Sequence, residues 1–137
     1  MRADTHVAAV MPGRSPIGEA DIGAVEARAR SLRRGRLRGY RREQVDAFLV
    51  EVFRVLHDLV GDNEVLRAGG SSDDGRWSAA SRMTGFDVQD RRFHGVRFSG
   101  YDMRSVDEYL DDVSDLLDAL LREHEALRSR ARTGDPS

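Results

Sequence analysis

The chain contains one sequence unit twice. Residues 36–67 and 97–128 align without gaps at a displacement of 61 residues, and they are identical at 12 of 32 positions. Most of these identities fall at helical spacing, and a repeat of this kind is one supersecondary unit used twice. The fold must therefore accommodate two copies of the same helix and bury the apolar face of each.

Each unit is a Gly-Tyr turn, Gly39-Tyr40 or Gly100-Tyr101, followed by an amphipathic helix. The helices are predicted at about 42–67 and 103–128. Their apolar positions alternate between steps of four and three residues, a period of 3.5 that is typical of a left-handed coiled-coil seam. The predicted seam consists of Val45, Leu49, Val52, Leu56, Leu59, Asn63 and Leu66 in the first unit and Val106, Leu110, Val113, Leu117, Leu120, His124 and Leu127 in the second.

The sixth seam position is polar in both units, Asn63 and His124. A polar seam residue costs stability but fixes register and strand number. The alternative interpretation is that the helices fray at this point and leave the position half exposed. The sequence leaves both open.

The start of each helix carries further signals. Phe48 and Tyr109 flank the seam at equivalent positions, so we expect the first turns to contact the segments that precede each Gly-Tyr. The two glycines are expected to allow a backbone angle or a close approach that a side chain would block. Asp102 is well placed to cap the second helix, whereas its equivalent, Arg41, cannot accept a hydrogen bond and is disfavoured by the helix dipole.

An isolated helix of this kind is marginal in water, so each unit needs a partner helix. That partner is either the other repeat or another chain. We favour parallel pairing within the chain, because residues 68–102 are long enough to run back along a helix of about 39 Å.

Composition favours an all-α protein, since 34% of the residues are charged and 39% are apolar. We predict a disordered N-terminus at 1–20, a first unit at 21–67, a flexible linker at 68–75, a second unit at 76–128 and a disordered tail at 129–137. Residues 21–31 are expected to form either a short helix or an extended lead-in. Neither a signal peptide nor a long apolar run is present, so a cytoplasmic location is expected.

Charge is distributed unevenly along the chain. All 22 basic residues are arginine, and residues 28–42 hold eight of them without an acid, whereas residues 107–118 hold six acids without a base. The arginine block could be a solvated face, a salt-bridge partner for the acidic helix, or a contact for lipid headgroups or nucleic acid. Nucleic acid is disfavoured, because the acidic helix would repel phosphate and no stacking platform is visible.

An enzyme is not expected. The four histidines show no metal-ligand spacing, and no glycine-rich phosphate-binding loop precedes a helix. The chain has no cysteine, which excludes disulfides and thiolate metal sites. We therefore expect neither a catalytic residue, a cofactor nor a metal.

The segments GYRREQVDAFLVEV and GYDMRSVDEYLDDV resemble the N-terminal domain of the DivIVA family of bacterial division and polar-growth scaffolds. The resemblance implies a parallel coiled coil whose lead-in loops cross at one tip. It also implies that an apolar residue and a neighbouring arginine at the tip meet the membrane. The matching positions are Leu37, Arg38, Arg97 and Phe98, and Ser99 departs from the pattern. The alternative is that Leu37 and Phe98 are buried in the packing of the lead-in segments.

Family members of this kind are not enzymes; they recruit division or cell-wall synthesis proteins to membrane at septa and poles. The resemblance therefore implies a membrane-associated scaffold with roles in cell division and cell shape. The expected partners are the chain itself, an anionic membrane surface, and division or cell-envelope proteins. The family usually continues into a long C-terminal coiled coil that is used for higher assembly. The sequence here stops nine residues after the second unit, so we expect a small adaptor rather than a principal scaffold. The alternative is an arginine-rich nucleic-acid-binding or purely protein-binding helical module.

Overall fold

The computed structural model describes residues 16–35, 38–70 and 83–133, and these residues form four helices and one two-stranded sheet. The mostly helical chain confirms the all-α class predicted from the sequence. In chain order the elements are α1 (Glu19–Ala29), β1 (Gly39–Tyr40), α2 (Arg42–Arg67), α3 (Gly85–Asp90), β2 (Gly95–Val96) and α4 (Met103–Thr133).

The two repeat helices, α2 and α4, lie side by side and parallel. Their N-terminal ends meet where the backbone N–H of Tyr40 donates to the Tyr101 carbonyl at 2.9 Å. Towards the other end, Asn63 Nδ2 donates to the Leu120 carbonyl at 3.4 Å. Every residue of the predicted seam is buried. Burial of each leucine or valine contributes about 1.5–3 kcal/mol, so the seam holds the helix pair together.

Helix α1 lies against both long helices and runs antiparallel to them. The Ile17 N–H donates to Glu123 near the far end of α4, at 3.2 Å, and Arg28 pairs with Asp112 closer to its start, at 2.8 Å. Ile22, in the middle of α1, is fully buried. The stretch that the sequence left open between helix and extended chain is therefore helical.

The predicted N-terminal boundary needs correction, because α1 begins at Glu19, within the stretch 1–20 expected to be disordered. The Asp21 carboxylate accepts a hydrogen bond from the Gly18 N–H at 2.9 Å, which satisfies a backbone donor ahead of the first turn. Residues 16–18 precede the helix, and residues 1–15 of that prediction lie outside the described residues.

Helix α3 falls inside the predicted second unit but was not foreseen as a helix. Thr84 caps it, since Thr84 Oγ1 accepts from the Asp87 N–H at 3.4 Å and the Asp87 carboxylate accepts from the Thr84 N–H at 2.9 Å. The Gly85 N–H donates to Asp118 of α4 at 2.9 Å, and Val88 is fully buried. The short lead-in therefore docks on the acidic helix.

The ends of the long helices differ from each other. Helix α2 ends at Arg67, as predicted, and Gly69, with a φ of 90°, turns the chain so that the Gly70 N–H reaches the Val65 carbonyl at 2.8 Å. Most of the predicted linker, residues 71–75, lies outside the described residues. Helix α4 continues to Thr133, five residues into the tail predicted to be disordered. Alanine and arginine are good helix formers, and the next residue is Gly134, so the helix can extend without burying a seam.

Candidate functional site

The paired N-terminal ends of α2 and α4, with residues 33–35 and 38–41 and residues 94–102, form a region that we call the tip. Strands β1 and β2 pair antiparallel there, with Tyr40 opposite Gly95, and isolated bridges join Tyr101 to Arg34 and to Tyr40. A shift of 61 residues maps the Tyr40–Gly95 pair onto the Tyr101–Arg34 pair. The tip is thus built on an internal pseudo-twofold axis, with the two tyrosines paired across it.

Gly39–Tyr40 is a strand and Tyr101 lies in isolated bridges, rather than in the predicted turns. A Cβ on Gly39 would lie 2.5 Å from the Tyr101 carbonyl oxygen, and one on Gly100 would lie 2.7 Å from that of Tyr40. Neither glycine has a positive φ. Of the two reasons for glycine that the sequence allowed, the structure therefore supports the close approach of two backbones.

The two tyrosines exchange hydrogen bonds between the repeats. Tyr40 Oη donates to Asp107 Oδ1 at 2.9 Å, and Tyr101 Oη donates to Asp46 Oδ1 at 2.7 Å. Burial, followed by the hydrogen bond to the carboxylate, raises the pKa of both phenols, which keeps each hydroxyl protonated as the donor. Sequence reasoning missed this exchange, although the Tyr and the Asp are identities of the repeat.

The lead-in segments also contact the helix of the opposite repeat. The guanidinium of Arg28 lies over the Tyr109 ring at 5.4 Å, and that of Arg91 lies over the Phe48 ring at 4.6 Å. Burial raises the pKa of the Tyr109 hydroxyl, which donates to the Val25 carbonyl at 2.6 Å. The expected contact between the first helical turns and the lead-ins is therefore present, and it crosses between the repeats.

Backbone hydrogen bonds at the tip also join each lead-in segment to the opposite repeat. The Arg41 N–H donates to the His94 carbonyl at 2.8 Å, and the equivalent Asp102 N–H donates to the Arg33 carbonyl at 2.7 Å. Because each lead-in is bonded to the other repeat's helix, the tip holds both repeats as one body.

The two helices begin differently, as predicted. Asp102 caps α4, with its carboxylate accepting from the Ser105 N–H at 2.9 Å. Arg41 precedes α2 and makes no side-chain capping bond. Helix α4 therefore begins with a carboxylate cap, whereas α2 begins with an arginine.

Arg38, Arg97 and Phe98, three of the four residues singled out for membrane contact, lie in the loops at the end of the tip. Phe98 is 67% exposed, which excludes the alternative that it is buried in the lead-in packing. Arg38 and Arg97 are exposed as well. Ser99, next to Phe98, has a φ of 66°, an unusual backbone angle for a residue other than glycine. Leu37 and its neighbour Arg36 lie outside the described residues.

The arginine block is mostly exposed. Among its described members, Arg28 is the one that forms an ion pair with the acidic helix, through Asp112. Five others are exposed on the surface: Arg30, Arg33, Arg34, Arg38 and Arg41. The described part of the block is thus largely a solvent-facing basic surface beside the tip, with one ion pair to the acidic helix.

A buried pair, Asp62 and His124, lies at the polar seam position, and the sequence had placed only His124 in the seam. Asp62, which precedes Asn63 and was not placed in the seam, is fully buried, and its Oδ2 lies 2.7 Å from His124 Nε2. Burial raises the pKa of Asp62 and lowers that of His124, where the charge of Arg128 adds to the effect. Asn63 and His124 are not half exposed, so the fraying interpretation is wrong.

Within residues 16–35, 38–70 and 83–133, no helix combines the length and the apolar character needed to cross a bilayer. Across the same residues, no three His, Asp or Glu side chains come together as metal ligands would. A scan against models of protein families found no match for this chain, and searches of curated proteins and of solved structures found no significant match.

Proposed function

We propose that this chain is a non-catalytic adaptor of the DivIVA type, which binds anionic membrane through its tip. The observation that carries the proposal is the exposure of Phe98, 67%, on a loop at the end of the helix pair, next to exposed arginines. A large aromatic side chain held out in water at a basic surface is the arrangement that an anionic bilayer surface would bury.

The charge of the tip supports the same proposal. Arg34, Arg38 and Arg97 are exposed there. Two acids of the first helical turns, Asp46 and Asp107, accept hydrogen bonds from the tyrosines, and Asp102 caps α4. These three carboxylates are therefore engaged in hydrogen bonds within the chain, and the arginines face outward.

The expected affinity of one tip is low. Partial burial of Phe98 in the interface contributes about 1–2 kcal/mol, below the full-burial value. Three arginines near an anionic surface add about 1 kcal/mol each. The sum of about 4–5 kcal/mol corresponds to a dissociation constant in the high micromolar to millimolar range. Stable binding then needs several tips acting together, which favours an adaptor that works within a larger assembly.

The location and partners follow from the resemblance of the repeated motif to the DivIVA family. We place the protein at the inner face of the cell membrane, at septa or poles, where it would recruit division or cell-wall synthesis proteins.

Sedimentation with vesicles tests the proposal. The wild-type chain should co-sediment with vesicles rich in phosphatidylglycerol and not with phosphatidylcholine vesicles. Phe98→Ala should weaken binding roughly tenfold, since the lost burial is about 1–2 kcal/mol. Added salt should weaken it further through the arginines.

Phe86→Ala is the matched control. Phe86 is 70% exposed on α3, and the neighbouring Gly85 contacts Asp118, about 24 Å of helix rise from Asp102. The control should bind vesicles like the wild type. Equal loss in both variants, or no preference of the wild type for anionic vesicles, would contradict the proposal. Salt-sensitive binding to DNA or RNA, unchanged by Phe98→Ala, would favour the nucleic-acid alternative.

A further inference from the structure

A basic groove lies beside the tip, along the first turns of α2. It has a volume of about 600 Å³ and is lined by Arg41, Glu43, Gln44, Ala47, Arg91, Arg92, Phe93 and His94. Clefts that bind ligands measure roughly 300–1,000 Å³, so this groove is large enough to hold a short segment of a partner.

The walls of the groove are fixed by internal contacts. His94 and Gln44 are joined twice, by the Gln44 Nε2–His94 Nδ1 contact at 2.7 Å and by the His94 N–H donating to Gln44 Oε1 at 2.8 Å. The Phe93 ring packs on the rings of Tyr40 and Phe48, with centroids 5.4 and 5.8 Å apart. The groove is therefore a preformed surface that does not depend on a partner for its shape.

Three arginines give the groove its charge. Arg41, Arg91 and Arg92 are exposed, and none forms an ion pair with an acid among the described residues. Arg91 is held in place by its contact over the Phe48 ring, 4.6 Å from the centroid. Glu43 is the one acid on the lining, so the net charge of the groove is positive.

The second repeat carries acids at two positions where the groove has none. Asp102 and Glu108 stand at the positions of Arg41 and Ala47. Asp102 caps its own helix, and Glu108 lies 4.0 Å from Arg104. On that side the chain supplies its own carboxylates, whereas the groove has arginine and a small alanine at the same two positions.

We propose that this groove binds an acidic peptide segment of a partner protein, with its carboxylates on Arg41, Arg91 and Arg92. Arginine binds carboxylates through paired, charge-assisted hydrogen bonds, and Phe93 and Ala47 offer apolar contact between them. The proposal rests on the adaptor function given above and assigns the surface that takes the partner.

The position of the groove favours a peptide over a lipid or a nucleic acid. Ala47 lies six residues after Arg41, about 9 Å of helix rise along the side of the pair, away from the end that carries Phe98. Asp87, Asp90 and Asp111 are exposed on and beside the adjoining α3 and would repel a long polyanion. A short acidic segment brings fewer negative charges near those carboxylates than a long polyanion does.

Fluorescence anisotropy tests the groove directly. The probe is a short fluorescein-labelled peptide in which Glu alternates with Leu, and the reference is the same peptide with Gln for Glu. The wild type should bind only the acidic peptide. The double variant Arg91→Glu/Arg92→Glu, at two groove residues outside the tip, should bind it more than about tenfold more weakly, since loss and reversal of two contacts exceeds 1.4 kcal/mol.

The matched control is Arg30→Glu/Arg122→Glu, which makes the same change of charge at two exposed positions outside the groove. It should bind the acidic peptide like the wild type, and circular dichroism should show both variants folded. Equal weakening in both, or wild-type binding that does not distinguish the two peptides, would overturn the proposal.

The vesicle assay separates this proposal from that of membrane binding. The groove variant should still sediment with anionic vesicles, because Phe98 and the exposed arginines of the tip are unchanged. If the groove variant loses vesicle binding and the wild type does not bind the acidic peptide, the groove belongs to the membrane-facing surface. If peptide binding follows the groove while Phe98→Ala leaves vesicle binding unchanged, the membrane proposal fails and the groove proposal stands.

Discussion

The buried pair of Asp62 and His124 offers the sharpest test of how the two repeats are held together. The change His124→Leu nearly preserves side-chain volume but removes the partner 2.7 Å from Asp62 Oδ2. Asp62 Oδ1 already lacks a hydrogen-bond partner, so the variant leaves a carboxyl group buried between the helices without a hydrogen bond. Breaking a buried pair in this way costs about 3–5 kcal/mol. We expect the lower end of that range, because the charge of Arg128 still acts on Asp62.

Removing both members should cost much less. Replacing a buried pair of this kind by apolar side chains is often neutral or stabilising by about 1–4 kcal/mol, since the desolvation penalty disappears with the pair. The double variant Asp62→Leu/His124→Leu should therefore be more stable than His124→Leu alone. The interaction energy from the cycle of wild type, two single variants and double variant should be about 2–3 kcal/mol.

Urea unfolding followed by circular dichroism at the helix band measures all four proteins. Glu51→Leu is the control. Glu51 is exposed on α2, the helix that carries Asp62, and the change should shift the free energy of unfolding by only about 0.5 kcal/mol. The reasoning is refuted if His124→Leu costs less than about 1 kcal/mol, or if the two single changes add without interaction.

Two further predictions concern the tip and helix α1. Gly39→Ala should lower the unfolding free energy by about 2 kcal/mol or more, because its Cβ would clash with the Tyr101 carbonyl. Gly23→Ala has open space around its Cβ and should raise the unfolding free energy by up to about 1 kcal/mol. Urea unfolding compares the two variants, and equal effects would contradict the close approach at Gly39. At His57, burial lowers the pKa, but the hydrogen bonds and charges of Glu26 and Glu19 outweigh it, and the net shift is upward from 6.5. The contacts of α1 should therefore be fully present below about pH 6.5 and weaken as pH rises through the raised pKa of His57. Amide hydrogen exchange in α1, measured against pH, tests this prediction. If His57→Gln leaves the pH profile unchanged, His57 is not the group responsible.

Local signals in the sequence were enough to define the long helices. The heptad spacing predicted α2 at 42–67, and the structure has it at Arg42–Arg67. Asp102 was expected to cap α4 and does so. These features depend on neighbours within one or two turns, so their information lies in a short window of sequence. The end of α4 was placed five residues too early, because no apolar pattern marks a helix that extends into solvent.

Only the tertiary structure decided how the repeats are joined. The exchange of Tyr40 and Tyr101 with Asp107 and Asp46 links residues more than fifty positions apart, and nothing in either repeat says which copy supplies the acid. The burial of Asp62 likewise depends on where His124 lies in the partner helix. The repeat itself determined that two equivalent helices must each bury an apolar seam against a partner helix. That the partner is the other repeat, and with it the crossing at the tip, the exposure of Phe98 and the basic groove, depends on long-range contacts between the two copies.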